Sequence, residues 1–258
     1  MQRKSGEIEV LGFRLRYEEA GEGRPLLFLH GAAGFEWSPL LDALGARHRV
    51  IVPEHPGFGR SQIPSWMMGI GDVAFFYLDV LRTLDLRDVH LVGHSVGGWI
   101  AAELAIRSTA RLASLALLAP MGVAHPEIGF GDIFLWTADE FARRQFHDEA
   151  RAEEWRKTTD LLGIDTLLQN RAALARLGWH PRLSNPQLPT WLHRIDVPTL
   201  LAFGKEDQVV PFACHETFVR EIPGAQLVAL PQAGHALPVE RADEIAPRLL
   251  AFLQGAGA

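Results

Sequence analysis

Hydrophobic and polar residues follow two different rhythms along this chain, and the change falls near residue 25. The first stretch, "EIEVLGFRLRYEEAG", alternates apolar and polar positions around Gly12. Period-two alternation predicts two antiparallel strands with one face exposed. Beyond it come short continuous apolar runs bounded by turn residues, at 26–30, 48–53, 89–94, 112–120, 199–204 and 225–231. Unbroken apolar runs of this length predict strands buried on both faces, as in a parallel sheet covered by helices. Segments of helical length separate most of them, at 36–46, 71–84, 96–108, 211–221 and 238–252. Strand and helix in alternation predict βαβ units and an α/β fold.

The alternation is interrupted once. Between residues 121 and 193 no buried strand pattern occurs; helical patterns such as "DEFARRQFHDEARAEEWRK" and "LLGIDTLLQNRAALARLGW" take its place, followed by the Pro-rich "HPRLSNPQLPTW". A structureless loop of that length is improbable inside a compact domain. The expectation is therefore one core domain, residues 1–120 and 194–258, with a helical lid inserted at 121–193.

Composition adds exclusions. With 258 residues, 48% hydrophobic and 22% charged, the chain can bury one large core. Its net charge of −6 is mild, and no basic stripe suited to nucleic acid appears. The single cysteine, Cys214, rules out an internal disulfide and fits a reducing compartment. No apolar h-region follows the opening "MQRKSGEIEV", and no uncharged run reaches the roughly 18 residues of a spanning helix. A cytoplasmic protein with no membrane partner is expected. No His/Cys cluster has metal-ligand spacing, so neither metal nor cofactor is expected.

The candidate chemistry begins at "LVGHSVGGWI", residues 91–100, where a buried strand meets a buried helix. Gly93-His94-Ser95-Val96-Gly97 fits the G-x-S-x-G elbow, a tight turn that lifts a serine hydroxyl above the sheet. Helix-start amides after the serine have no internal partner and can hold a developing oxyanion. A serine needs a base, and the base needs an orienting acid. Asp207 in "FGKEDQVVP" stands just past a strand end, with Glu206 read as a solvated neighbour. His235 in "LPQAGHALPVE" follows the last strand; His215 lies inside a helical pattern and reads as surface. The order Ser95, Asp207, His235 is the one this kind of sheet uses. The turn "LFLHGAAGF" offers a second oxyanion donor, the amide of Ala32 ahead of that of Ala33, alongside Val96. His30 and His94 read as structural hydrogen bonders.

Together "HGAAG", "PEHPGFGRS", "GHSVGG", "GKEDQVVP" and "AGHALPVE" resemble the α/β-hydrolase superfamily over essentially the whole chain. That resemblance implies an eight-stranded, mostly parallel sheet with a helical lid after the sixth strand. The family commonly carries Asp at the position of Glu54, a departure confined to a turn away from Ser95. Haloalkane dehalogenases and epoxide hydrolases carry Asp where this chain has Ser95. Carbon–carbon hydrolases of ring-cleavage products share "GFGRS", but they usually have a more glycine-rich oxyanion loop and a Trp after the histidine, where Ala236 stands here. The leading expectation is a carboxylesterase-like serine hydrolase acting on a small-molecule ester through Ser95, His235 and Asp207. A carbon–carbon hydrolase and a hydrolase-fold small-molecule receptor are the alternatives. Phe35, Trp37, Trp136, Phe141 and Trp155 are the expected walls of an apolar substrate site. Nothing in the sequence bears on oligomeric state.

Overall fold

The computed structural model of the chain describes residues 2–160 and 163–256. The alternating stretch forms a hairpin of β1 (Lys4–Val10) and β2 (Phe13–Ala20), which turns through Leu11 and Gly12. Then follow β3 (Pro25–Leu29), α1 (Pro39–Gly45), β4 (Arg49–Pro53), α2 (Ile70–Thr83), β5 (Val89–His94), α3 (Val96–Arg107) and β6 (Leu112–Leu118). An insertion carries α4 (Ala138–Gln145), α5 (Glu149–Asp160), α6 (Ile164–Gly178) and α7 (Leu188–Trp191). The core resumes with β7 (Thr199–Gly204), α8 (His215–Glu221), β8 (Gln226–Leu230), α9 (Leu237–Glu240) and α10 (Ala242–Gly255).

The strands form one eight-stranded sheet in the order β1-β2-β4-β3-β5-β6-β7-β8. The pairings of β1 with β2 and of β2 with β4 are antiparallel; every other pairing is parallel. Two apolar layers sandwich the sheet, because its central strands are apolar on both faces. One layer packs residues of α2, α3 and α8 against it, and the other packs α1 and α10. The chain leaves β3 outward to β4, then returns to the other side of β3 at β5. That reversal opens a crevice at the carboxyl ends of β3 and β5, the place where ligands bind in open α/β sheets. Leu29 pairs with Gly93 there, so the loops after β3 and β5 start side by side.

Three predicted helices come out differently. The segment 211–221 opens as a 3-10 turn, Phe212–Cys214, before α8 begins. The segment 238–252 is split at Arg241 into α9 and α10. The pattern at 139–157 is two helices, because Asp148 caps a new one: its Oδ1 accepts from the amides of Ala150 (2.8 Å) and Arg151 (3.3 Å). The start of the second predicted insertion helix, residues 161–162, lies outside the described residues. Between β6 and β7 the described residues form no strand, only the bridge Gly122–Ser184. No helix among the described residues is long and apolar enough to cross a membrane.

Candidate active site

Ser95 occupies the turn between β5 and α3 with φ 58° and ψ −118°, a positive φ that residues with a Cβ rarely adopt. Neighbouring hydrogen bonds hold it there. Its amide donates to Leu118 O (2.9 Å), and its carbonyl accepts from the amides of Met121 (3.0 Å) and Trp99 (3.1 Å). Glycine is required beside it for close approach: a Cβ on Gly97 would overlap the Leu29 carbonyl, and one on Gly93 the Gly97 carbonyl. The first turn of α3 therefore presses directly on the end of β3.

The three predicted groups meet. Ser95 Oγ lies 2.8 Å from His235 Nε2, and His235 Nδ1 lies 2.8 Å from Asp207 Oδ2. All three residues are buried. A carboxylate only accepts, so His235 donates through Nδ1–H and leaves Nε2 to accept from the serine hydroxyl. The other Asp207 oxygen accepts from the amides of Val209 and Val210, both at 2.8 Å. One carboxylate thus holds its own turn and orients the imidazole.

Other side chains support this relay. His94 donates through Nε2 to the carbonyl of His235 at 2.9 Å. His30 Nε2 accepts from the His55 amide (3.1 Å), which leaves Nδ1–H to donate to Gly31 O (2.8 Å). His55 donates from Nε2 to His30 O (2.9 Å) and accepts at Nδ1 from the Tyr77 hydroxyl (2.6 Å). The rings of His30 and His55 each donate from one nitrogen and accept at the other, as a neutral imidazole does. Burial chiefly lowers the pKa values of the three rings, to about 4 for His55, to about 3 for His94, and well below the ordinary value for His30. Glu206, expected to be merely solvated, is exposed but also accepts from the Ala233 amide (3.1 Å) in the loop that leads to His235. Glu54 packs beneath the 57–60 turn and accepts from the Arg60 amide at 2.7 Å, so the longer acid braces that turn. Burial pushes the Cys214 thiol up to about 11, which keeps it protonated.

Gly31 abuts Ser95: a Cβ on it would lie 3.2 Å from that of the serine. Among the described residues the amides of Ala32 and Ala33 have no hydrogen-bond acceptor. Val96 opens α3, so its amide has no intrahelical acceptor either. Ala32, Ala33 and Ser95 line a cavity of about 60 Å³, and Val96 follows the serine directly. A larger, apolar cavity of about 150 Å³ lies between α4, α5 and α6. Ala32, Ala33, Ile133, Phe141 and Trp155 line both.

Phe141 and Trp155 are therefore brought to the site as expected, and Phe35, Trp37 and Trp136 are not. Phe35 and Trp37 pack on the α1 and α10 side of the sheet, where Trp37 donates to Asp42 Oδ1 at 3.0 Å. Trp136 packs on the core cluster, with the Arg144 guanidinium 4.8 Å from its ring centre. The larger cavity is lined instead by Ile164, Leu167, Leu168 and Leu174 of α6. Their helical spacing is visible in the sequence; selection by aromatic character passed over it.

The electrostatics are one-sided. No lysine or arginine lines the cavity at Ser95, whereas Glu36 does. Glu36 keeps solvent contact, yet the surrounding protein desolvates its carboxyl and raises the pKa, offset in part by the Trp155 indole, which donates to it at 2.8 Å. Arg156 and Arg171 line the larger cavity. Arg156 pairs with Glu153 and Asp139, and Arg171 donates to the carbonyls of Ile133 and Trp136.

Comparison with known proteins places this geometry in context. A model of the alpha/beta hydrolase family matches residues 26–248. RutD of Azorhizobium caulinodans, named for carbamate hydrolysis, is 29% identical over 92% of this chain and 94% of its own. The 2-hydroxymuconate semialdehyde hydrolase of a Pseudomonas strain is 29% identical over 98% of this chain and 94% of its own. An esterase structure from Exiguobacterium antarcticum superposes with a TM-score of 0.81 at 23% identity, covering 96% of this chain and 98% of that one.

Two outcomes are expected. Gly97→Ala should destabilise the fold by about 3 kcal/mol or more in denaturant titration, since backbone must move to admit the Cβ. A loss below about 1 kcal/mol would contradict the close approach described. Second, unfolded histidines titrate at about 6.5, while His30, His55 and His94 resist protonation when folded. The unfolded state then binds more protons below that pH, so their stabilising contribution is present above it and lost as pH falls toward about 4. Melting temperature should already decline between about pH 6.5 and 5, above the carboxylate range; a flat profile there would refute the neutral network.

Proposed function

We propose that this chain, which belongs to the alpha/beta hydrolase family, hydrolyses carboxylic esters of uncharged substrates with an apolar acyl group. The observation that carries the reading is the Asp207–His235–Ser95 relay opening onto an apolar cavity beside unpartnered backbone amides. In this reading His235 Nε2 takes the Ser95 proton as Oγ adds to the ester carbonyl. Asp207 holds the imidazole tautomer and stabilises the imidazolium. The amides of Val96 and Ala32 form the oxyanion hole for the tetrahedral alkoxide. His235 returns the proton to the departing alcohol, leaving an acyl-enzyme. It then deprotonates a water that attacks the acyl carbonyl, and collapse frees the acid and Ser95. The acyl group extends into the cavity between α4, α5 and α6, the insertion serving as a lid over the site.

The charge pattern supports an uncharged substrate. A carboxylate entering the cavity at Ser95 would meet Glu36 and no lysine or arginine. The relative named for 2-hydroxymuconate semialdehyde acts, by that name, on an acid. Carbon–carbon cleavage of such an acid is the second reading, and its support is that likeness.

The test is turnover of p-nitrophenyl esters from acetyl to dodecanoyl. Wild type should show one preferred chain length, and Ser95→Ala should lose at least about a thousandfold in kcat with its melting temperature preserved. Turnover retained within tenfold in that variant would sink the assignment. Leu168→Trp, which fills the apolar cavity, should move the optimum to shorter acyl groups. An unchanged optimum would place the acyl group elsewhere.

A further inference from the structure

Two loops must be in register for the relay to work, 31–34 with its unpartnered amides and 231–236 with His235, and neither is held by the sheet alone. Asn170 of α6 is buried, with 4% of its surface exposed. Its Nδ2 donates to the Ala33 carbonyl at 3.0 Å, and its Oδ1 accepts from the Gly59 amide at 2.9 Å. The same Ala33–Gly34 peptide is held at its other end, where the Gly34 amide donates to Gly31 O at 3.2 Å. Gly34 has φ +102°, and a Cβ there would run into the Asn170 amide. With that peptide held at both ends, the turn that carries the Ala32 and Ala33 amides is closed and anchored at its carboxyl end.

Glu240 does the corresponding work at the other loop. It is 1% exposed, and its Oε2 accepts from the Gly234 amide, one residue before His235, at 2.6 Å. Its Oε1 accepts from the amides of His147 (2.7 Å) and Asp148 (2.9 Å) at the α4–α5 junction. On the far side of His235, the Ala236 amide donates to Gln145 O at 2.8 Å. The amides of the residues on either side of the histidine are thus tied to the insertion, that of Ala236 directly and that of Gly234 through a buried carboxylate.

We propose that the insertion aligns the catalytic groups as well as covering them, with Asn170 on the insertion and Glu240 on the core, at the end of α9, as the positioning residues. Asn170 sets the oxyanion loop, and Glu240 sets the loop of the base. The proposal rests on the reading of Ser95 as an activated nucleophile. It adds that the insertion cannot swing away as one piece without disturbing both loops.

The test is the second-order rate at which a fluorophosphonate labels Ser95. There Oγ displaces fluoride from phosphorus while His235 takes the proton, so the rate reports alignment without reference to ester preference. Asn170→Asp keeps the acceptor for Gly59 and loses the donor to Ala33; Glu240→Gln keeps the shape and sets an NH2 group against backbone donors. Each should label at least about tenfold more slowly than wild type, since small misplacements of catalytic groups cost that much or more. On esters, kcat should fall by a similar factor with KM little changed. Glu240→Asp asks the same question if the glutamine variant does not fold. Gln169→Ala is the control, because Gln169 donates to Gly57 O (3.3 Å) and Gly59 O (2.7 Å) from the same helix but touches neither loop. It should lower the melting temperature and label at the wild-type rate. If Asn170→Asp and Glu240→Gln behave as that control does, the tethers are structural and the proposal is overturned. A wild type that labels readily but turns over no ester would instead remove the ester reading, and the labelling rates would still decide the positioning role.

Discussion

The contact of Gly97 with the Leu29 carbonyl is the constraint on which the rest of the site depends. It is backbone against backbone, with no side chain to give way. Because α3 starts hard against the end of β3, its first turn and the turn at 31–34 lie side by side. Ser95 must then bridge strand to helix in a single residue, which is why it carries φ 58°. The strain is sustained by three backbone hydrogen bonds around the serine and by a sheet whose central strands are buried on both faces. Strain of this sort persists only where surrounding structure over-determines it.

Around that fixed point the buried imidazoles other than His235 are arranged as hydrogen bonders. His30, His55 and His94 lie near Ser95 or behind it, and burial keeps them neutral. Both ring nitrogens of His30 and His55 are hydrogen-bonded, and His94 holds the His235 carbonyl, so they brace the loops without adding charge to the site. Asp207 is the buried carboxylate that faces the base, and it divides its two oxygens between the Val209–Val210 turn and His235. Low dielectric strengthens such oriented groups and penalises unpaired ones, which favours an uncharged ligand in the adjoining cavity.

The insertion is stitched to the core on both sides of the cavity. Its α6 reaches the 57–59 turn and the Met67 carbonyl through Gln169, Asn170 and Arg176, and its α4–α5 junction reaches Glu240. These ties of polar side chains to backbone stand beside an apolar seam, in which Ala173, Leu174 and Leu177 of α6 join the main core. They are directional, so they transmit position, and a departure of one helix face is felt at a named peptide in the site.

Sequence alone determined the strand-and-helix order, the break at the insertion, and the places of Ser95, Asp207 and His235. Each of those signals is local: an apolar run, the turn that ends it, and a residue type at that turn. The same locality explains the errors. Aromatic character suggested Phe35, Trp37 and Trp136 as cavity walls, but which side of the sheet a side chain joins is settled by packing across it. Helix length suggested one helix at 139–157, but Asp148 and Glu240 divide it, and Glu240 lies far along the chain. Only the tertiary structure decided that α6 turns Ile164, Leu167 and Leu168 toward the cavity and sets Asn170 against the loop of Ala33. Such pairings join residues more than a hundred positions apart, and no short-range pattern records them.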